Sequence, residues 1–493
     1  MQASGDRLSA LDMSFLTLED DSSHMHVAAV LIFEGDAPSY EELLESVERR
    51  LHLVPRYRQR LAWVPFDAAR PRWVDDPHLN LGYHVRGTAL PPPGSDAQLR
   101  DLAGRLAGQQ LDRDKPLWEL WLVEGLEDER FAVISKTHHA LIDGIAGMDL
   151  MSVLFDTAAD PVAPPDPGRP WLPRPSPSGA QLLVEAVTER ASTPRSLLGS
   201  ASGLFSRPRA ILGEAWLQAV GVGALAWAGL RPAPPSPYNT PIGPHRRFSW
   251  MSASLADLKA VKDALGGTVN DVVLATVAGG LGRHMRRLGL ETEGLDLHAF
   301  VPVSIRSDDD REAGGNRVAG IIAPLPVGVH DPRERLAIVS EAMDDLKTSG
   351  QAVGARNLTE LSGFAPPTIL SRASRLASRQ RFINTVVTNV PGPQQPLYLL
   401  GRRMLEMIPE MPLASNVALG VAIVSYAGRM SFGLSADYDA VPDLEDIVDD
   451  LEGSLAELAR ASGVRLHRPS AEAPSSVNGG GRRKTGSRRK ARA

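Results

Sequence analysis

The chain has 493 residues, 43% hydrophobic and 23% charged, which is the balance of a folded protein long enough for two large domains. It contains no cysteine, which excludes disulfides, thiolate metal sites and any covalent acyl-cysteine intermediate. The net charge of −6 is unevenly spread, because from Glu472 onward seven basic residues (Arg482, Arg483, Lys484, Arg488, Arg489, Lys490 and Arg492) face that single carboxylate and leave the rest strongly acidic.

The opening MQASGDRLSALDMSFL has no basic stretch followed by an apolar one, so no secretory signal is expected and the cytoplasmic side is the expected location. His26 to Phe33 and Phe131 to Thr137 read as strands, and Tyr40 to Leu51 and Asp96 to Leu111 have helical periodicity. Proline-rich stretches at Pro161 to Pro177 and Pro232 to Pro244 bracket a more helical crossover. Within it, Ala210 to Leu230 approaches the length of a membrane span, but Glu214, Gln218 and several glycines favour a buried or interfacial helix over a span.

After the crossover, Leu297 to Val303, Arg317 to Pro326, Asn384 to Asn389, Val417 to Tyr426 and Arg429 to Asp437 read as strands, the last two joined by a hairpin turn at Ala427-Gly428. Leu255 to Leu265, Val269 to Leu288, Pro332 to Lys347 and Leu444 to Ala461 read as helices. The pattern is α/β in two units of similar size, giving domains at 1–160 and 246–465, a crossover linker at 161–245 and a solvated basic tail at 466–493. Anionic lipid is the tail's available electrostatic partner; nucleic acid is not an expected one.

The run KTHHALIDG from Lys136 to Gly144 leaves an apolar strand and enters an apolar, helix-like stretch. Strand-to-helix junctions gather reactive groups on a loop held by a rigid scaffold. His138 and His139 are adjacent, so in extended chain their rings point to opposite sides and one serves as base while the other supports it. Transfer from a thioester to an alcohol needs the hydroxyl proton removed as oxygen attacks, and imidazole suits that work. Asp143 would hold local geometry, and Gly144 would permit a turn. The competing reading is that Asp143 merely caps the next helix. A metal site is not expected, since adjacent histidines converge poorly, and no G-x-S-x-G elbow is present.

With those residues in view, the chain resembles the bacterial wax ester synthase/diacylglycerol acyltransferase family, within the larger HHxxxDG group that includes chloramphenicol acetyltransferases and peptide-synthetase condensation domains. The resemblance runs from about Leu8 to Ala461. It rests on LSALDMSFL from Leu8, PLWE from Pro116, TVNDVVLA from Thr268, VPVSIR from Val301, TNVPGP from Thr388, SYAGR from Ser425 and FGL from Phe432, besides the histidine motif. It implies two chloramphenicol-acetyltransferase-like domains of mixed sheet and helices flanking a substrate tunnel, with His139 as general base and His138 and Asp143 supporting it.

The activity it implies is long-chain acyl-CoA-dependent O-acyl transfer to diacylglycerol, or to a fatty alcohol to give wax ester, with no covalent intermediate. Acyl-CoA is then a substrate, and no cofactor is implied. Candidate substrate-binding residues are Asn270, Asp271, Trp118 and Glu119, although helix capping competes for the first two and domain packing for the others. A peripheral membrane or lipid-droplet surface is a further partner. The alternatives are an acyltransferase with another hydroxyl acceptor and a non-catalytic lipid-granule surface protein.

Overall fold

His26–Glu34 (β1) is paired along both edges, and its two neighbours come from opposite ends of the sequence. The computed structural model describes residues 6–141, 153–160, 171–188, 232–304, 318–348 and 382–467. Within them, one six-stranded sheet has the order β11-β12-β1-β6-β5-β4, with β4 at Val85–Ala89, β5 at Trp118–Leu126, β6 at Arg130–His138, β11 at Tyr398–Leu399 and β12 at Arg402–Glu410. The other has the order β7-β14-β13-β10-β8-β9, with β7 at Arg246–Ser254, β8 at Asp296–Ser304, β9 at Val318–Pro326, β10 at Thr385–Pro391, β13 at Leu419–Tyr426 and β14 at Arg429–Asp437. Gln59–Ala62 (β2) and Arg72–Asp75 (β3) form a separate hairpin. Both large sheets mix parallel and antiparallel pairs, as an α/β fold of two units requires.

The helices are α1 (Ala10–Leu18), α2 (Tyr40–Arg50), α3 (Leu81–His84), α4 (Asp96–Ala107), α5 (Leu255–Leu265), α6 (Val269–Arg287), α7 (Pro332–Thr348) and α8 (Leu444–Ser462). Local chemistry fixes several starts. Ser39 with Glu42, and Ser95 with Gln98, form reciprocal capping boxes at α2 and α4. The helix expected to reach Leu111 stops at Ala107, where Gly108 caps it. Ala427 and Gly428 both have positive φ, 45° and 81°, the geometry a two-residue hairpin between β13 and β14 demands.

Tyr398–Glu410, expected within the second unit, leaves it and adds β11 and β12 to the first sheet, where Ala28 lies opposite Glu410 and Phe33 opposite Met404. A hydrophobic core joins the two halves where Val30, Ile32, Ala132, Ile134 and Ile408 of the first sheet and Leu99 and Leu102 of α4 meet Phe248 and Trp250 of β7. Burying such side chains contributes about 1.5–3 kcal/mol each. Two glycines allow the approach: a Cβ on Gly433 would lie 1.8 Å from the Pro409 carbonyl oxygen, and one on Gly104 would lie 2.8 Å from that of Arg246.

Of the sequence-level assignments, Ala210 to Leu230, the VPVSIR run beyond Ser304 and the basic tail lie outside the described residues. Among the described residues no single helix is long and apolar enough to cross a membrane.

The seam between the halves is polar at one end. Glu410 is 4% exposed, sits among His24, His26 and Arg246, and has no hydrogen-bond partner for either carboxylate oxygen among the described residues. Burial pushes its carboxyl up to about 8, with the positive charges of Lys136 and Arg246 pulling the other way. Between the unfolded value near 4.5 and about 8, the folded protein therefore binds a proton that the unfolded chain releases, so this residue's contribution to stability declines as pH rises through that window. Glu410→Gln is expected to flatten that decline and to stabilise the protein at pH 8 by on the order of a few kcal/mol. Thermal unfolding of both proteins from pH 5 to pH 9 measures it, and parallel curves would contradict it.

Candidate active site

β6 carries the histidine pair to the edge of its sheet and stops. His138 lies opposite His26 of β1, and its N–H donates to the Leu117 carbonyl at 3.0 Å. The His139 N–H donates to the Met25 carbonyl at 2.8 Å, and the chain then turns back as Leu141 N–H reaches the His138 carbonyl at 2.9 Å. The two rings were expected on opposite sides of an extended strand. They instead meet the same helix at residues one turn apart, because the backbone turns immediately after His138 and strand alternation no longer applies.

That helix is α1. The Phe15 ring stacks on the His139 imidazole with centroids 4.4 Å apart and planes 17° from parallel. Glu19, the residue that ends the helix, places Oε2 3.3 Å from His138 Nε2. Arg113 donates to the same oxygen through Nε at 2.8 Å and through Nη2, and Nη2 also donates to the Leu16 carbonyl at 3.0 Å. Burial alone would raise the Glu19 carboxyl, but His138 and Arg113 outweigh it and hold the group ionised, at about 2.

His138 is fully buried, and its Nδ1 accepts the Ala140 N–H at 3.0 Å. A nitrogen that accepts carries no proton, so the ring proton sits on Nε2, toward Glu19. His139 is half-buried, and burial lowers its imidazolium to about 4, leaving it neutral and able to accept a proton at neutral pH.

The other candidates occupy different surroundings. Trp118 is fully buried, donates its indole N–H to the Tyr57 carbonyl at 2.9 Å and stacks on His84 at 4.6 Å. Glu119 is 5% exposed and bound up with Lys136 (3.4 Å), Arg86 (3.3 Å) and the Trp121 indole (3.2 Å). These two pack the strand beside β6, and the same run supplies the carbonyl that holds His138. Asp271 completes a capping box with Thr268 at the start of α6, taking the Thr268 N–H at 2.8 Å. Asn270 accepts the Asn389 amide at 3.3 Å, which joins the TVNDVVLA and TNVPGP runs to each other. Asp143 and Gly144 lie outside the described residues.

Sequence reasoning missed Glu19, Arg113 and Phe15 as neighbours of the histidines. Glu19 and Arg113 are 94 residues apart, and no local spacing announces such a contact. Among the described residues, no three His, Cys, Asp or Glu side chains converge as metal ligands.

Comparison with known proteins identifies the family. Residues 8–273 match the model of the wax ester synthase/diacylglycerol acyltransferase catalytic domain, and residues 314–459 match that of the family's C-terminal domain. A probable diacylglycerol O-acyltransferase of Mycobacterium tuberculosis, tgs1, is 35% identical over 461 residues, covering 92% of this chain and 96% of that protein. The solved wax ester synthase/diacylglycerol acyltransferase of Marinobacter aquaeolei VT8 is 28% identical with a TM-score of 0.65, covering 93% of this chain and all of its own. The first condensation domain of the calcium-dependent antibiotic synthetase shares the fold at 16% identity, with a TM-score of 0.55 over 94% of this chain and 97% of its own. The chain belongs to the wax ester synthase/diacylglycerol acyltransferase family of acyltransferases.

Proposed function

We propose that this acyltransferase moves a long-chain acyl group from acyl-CoA to the free hydroxyl of 1,2-diacylglycerol, giving triacylglycerol and CoA, and that a long-chain alcohol serves as a second acceptor, giving wax ester. His139 is the general base. As it takes the hydroxyl proton, the oxygen attacks the thioester carbonyl; the C–S bond then breaks, and the imidazolium returns its proton to the departing thiolate. Neighbouring polar groups stabilise the oxyanion between those steps. In this reading donor and acceptor enter a tunnel between the two halves from opposite ends, and Asp143 and Gly144 shape the turn that follows the base.

The observation that carries the proposal is the state of His139: anchored through its own N–H, stacked on Phe15, and kept neutral by burial. The names of the family and of its relatives support the two acceptors. A fully supported histidine pair is hard to reconcile with a non-catalytic granule protein, which needs no base.

The substrates partition into lipid, and we propose that the protein acts on the cytoplasmic side, in peripheral contact with membrane or lipid inclusions. The β2–β3 hairpin packs against segment 171–188 through Val64, Leu182 and Ala186. Together they turn Trp63, Phe66, Trp171, Leu172, Val184 and Val187 outward, Phe66 being 92% and Leu172 81% exposed. Exposed apolar groups of this size suit contact with lipid.

Three measurements test these proposals. CoA release from palmitoyl-CoA, followed with diacylglycerol or hexadecanol and with the lipid products resolved, is expected to depend on acceptor and to fall about 10²- to 10⁴-fold in His139→Ala; equal release by both proteins would place the base elsewhere. Protonation of His139 removes the base, and because its value is lowered to about 4, kcat is expected to hold level from pH 8 to about 5 and decline below, whereas a decline centred at 6.5 would contradict a desolvated base. The double variant Phe66→Glu, Leu172→Glu should float less with liposomes containing diacylglycerol, and unchanged flotation would exclude this surface as the contact.

A further inference from the structure

The end of α1 is built around a charge that substrate chemistry does not require. Glu19 is fully buried, yet it is ionised: two N–H groups of Arg113 donate to one of its oxygens, and His138 Nε2 stands 3.3 Å from the same oxygen. Its other oxygen has no hydrogen-bond partner among the described residues. An isolated buried carboxylate is costly, so the arrangement persists only with a strong counter-charge, which the Arg113 fork supplies.

What the charge faces is the ring of His138. Neutral imidazole has two tautomers, and a carboxylate facing Nε2 favours the one with hydrogen on that nitrogen. That leaves Nδ1 free to accept the Ala140 N–H, while the carbonyl of the same residue accepts from Leu141. Side chain and main chain of His138 thus close the turn from both sides, and His139 stands inside it. One helical turn back from Glu19, Phe15 covers a face of the His139 ring.

We propose that Glu19 is a positioning residue: through Arg113 and His138 it fixes the 138–141 turn, and with Phe15 it makes α1 a two-point clamp on the catalytic histidine. The inference rests on the reading of His139 as general base and deepens it. The chain of contacts is Arg113 to Glu19, Glu19 to His138 Nε2, His138 Nδ1 to Ala140, and the turn to His139. Every link is a named contact, and the only contribution of Glu19 to the site is its charge and its reach.

Glu19→Gln keeps shape and removes charge. It is expected to lower kcat roughly 10- to 100-fold with KM for palmitoyl-CoA and diacylglycerol within about twofold, because a small displacement of a base costs rate rather than binding. Nitrogen-15 spectra of histidine-labelled protein, with the His138 signals identified by their loss in His138→Gln, should change from a single Nε2–H tautomer to a mixture. Glu19→Asp, which keeps the charge but withdraws it from the ring, should fall between wild type and Glu19→Gln on both readouts, and it carries the test if Glu19→Gln does not fold. A folded variant with wild-type kcat and an unchanged His138 tautomer overturns the clamp. His139→Ala assayed alongside separates the two levels: if it retains acceptor-dependent CoA release, the base assignment fails, whereas if it is inactive and Glu19→Gln is fully active, only the clamp fails.

Discussion

The structure turns on the fact that β1 has no free edge. One side of it pairs with β6, which ends in the histidines, and the other with β12, which the second half of the chain contributes. The hydrogen bonds that tie the halves together therefore belong to the same sheet that positions the reactive pair. Pairing register is specified wherever a face is buried, since a one-residue slip would turn every side chain over. Here Val30, Ile32, Ala132, Ile134 and Ile408 all face the core shared with β7, while Leu31, Phe33, Phe131, Val133 and Met404 fill the core on the opposite face, and a slip of either neighbour would exchange its two sets between cores of different shape while moving His138 or Glu410 out of place. The position of the histidine pair and the attachment of the halves are thus one constraint.

At the seam that constraint becomes electrostatic. His24, His26, Lys136, Glu119, Glu410, Arg246 and Glu19 are all less than 10% exposed. Groups of this kind are costly to bury unless paired, and the pairing here is uneven. Lys136 donates to the Leu106 and Gln109 carbonyls and approaches Glu119, and Glu19 has Arg113, but Glu410 has only charges at a distance. A well-packed apolar seam would be the more stable solution. The polar groups nevertheless lie on the elements that reach the histidines: the chain leading into β1, β6 itself, the end of α1, and β12. A site that must hold a neutral imidazole beside a fixed turn needs donors and acceptors within reach, and the strands supplying them are also the strands that form the seam.

Much of this was legible in the sequence. The apolar runs at β1, β6, β8, β9, β13 and β14 and the helical runs at α2, α4, α5, α6, α7 and α8 are legible within a few residues, because a strand buried on both faces leaves a short continuous apolar run and an amphipathic helix leaves a periodic one. β5 and β12 were not. WELWLVEGL holds a buried Glu119 where alternation would put an apolar residue, and RRMLEMIPE reads as a polar segment because only part of it is covered. The placement of β12 in the first sheet had no signature, since topology is decided by partners hundreds of residues away. His138 and His139 stood out because chemistry concentrates two imidazoles at a strand end. Glu19 and Arg113 did not, because a Glu at a helix end and an Arg in a loop are ordinary surface residues until the fold brings them together under cover. The PLWE run, drawn in by resemblance, proved to be the neighbour of the histidine strand, with its Leu117 carbonyl on His138.

Burial acts on His139, the proposed base, in two opposing ways. Lowering an imidazolium from its ordinary 6.5 to about 4 weakens the resting base by roughly 3 kcal/mol, at about 1.4 kcal/mol per pKa unit. Taken alone that opposes catalysis, since proton transfer is most efficient when the base is matched to the working pH. The low-dielectric surroundings that weaken the resting base also strengthen the attraction between the imidazolium and the oxyanion that form together in the transition state, a pair that does not exist in the ground state. Desolvation therefore lowers the affinity of His139 for a stray proton from water more than for the proton of an attacking hydroxyl. The contacts that keep the ring dry, with Phe15 on its face and Met25 on its backbone, are in that sense contacts that select the substrate's proton over the solvent's.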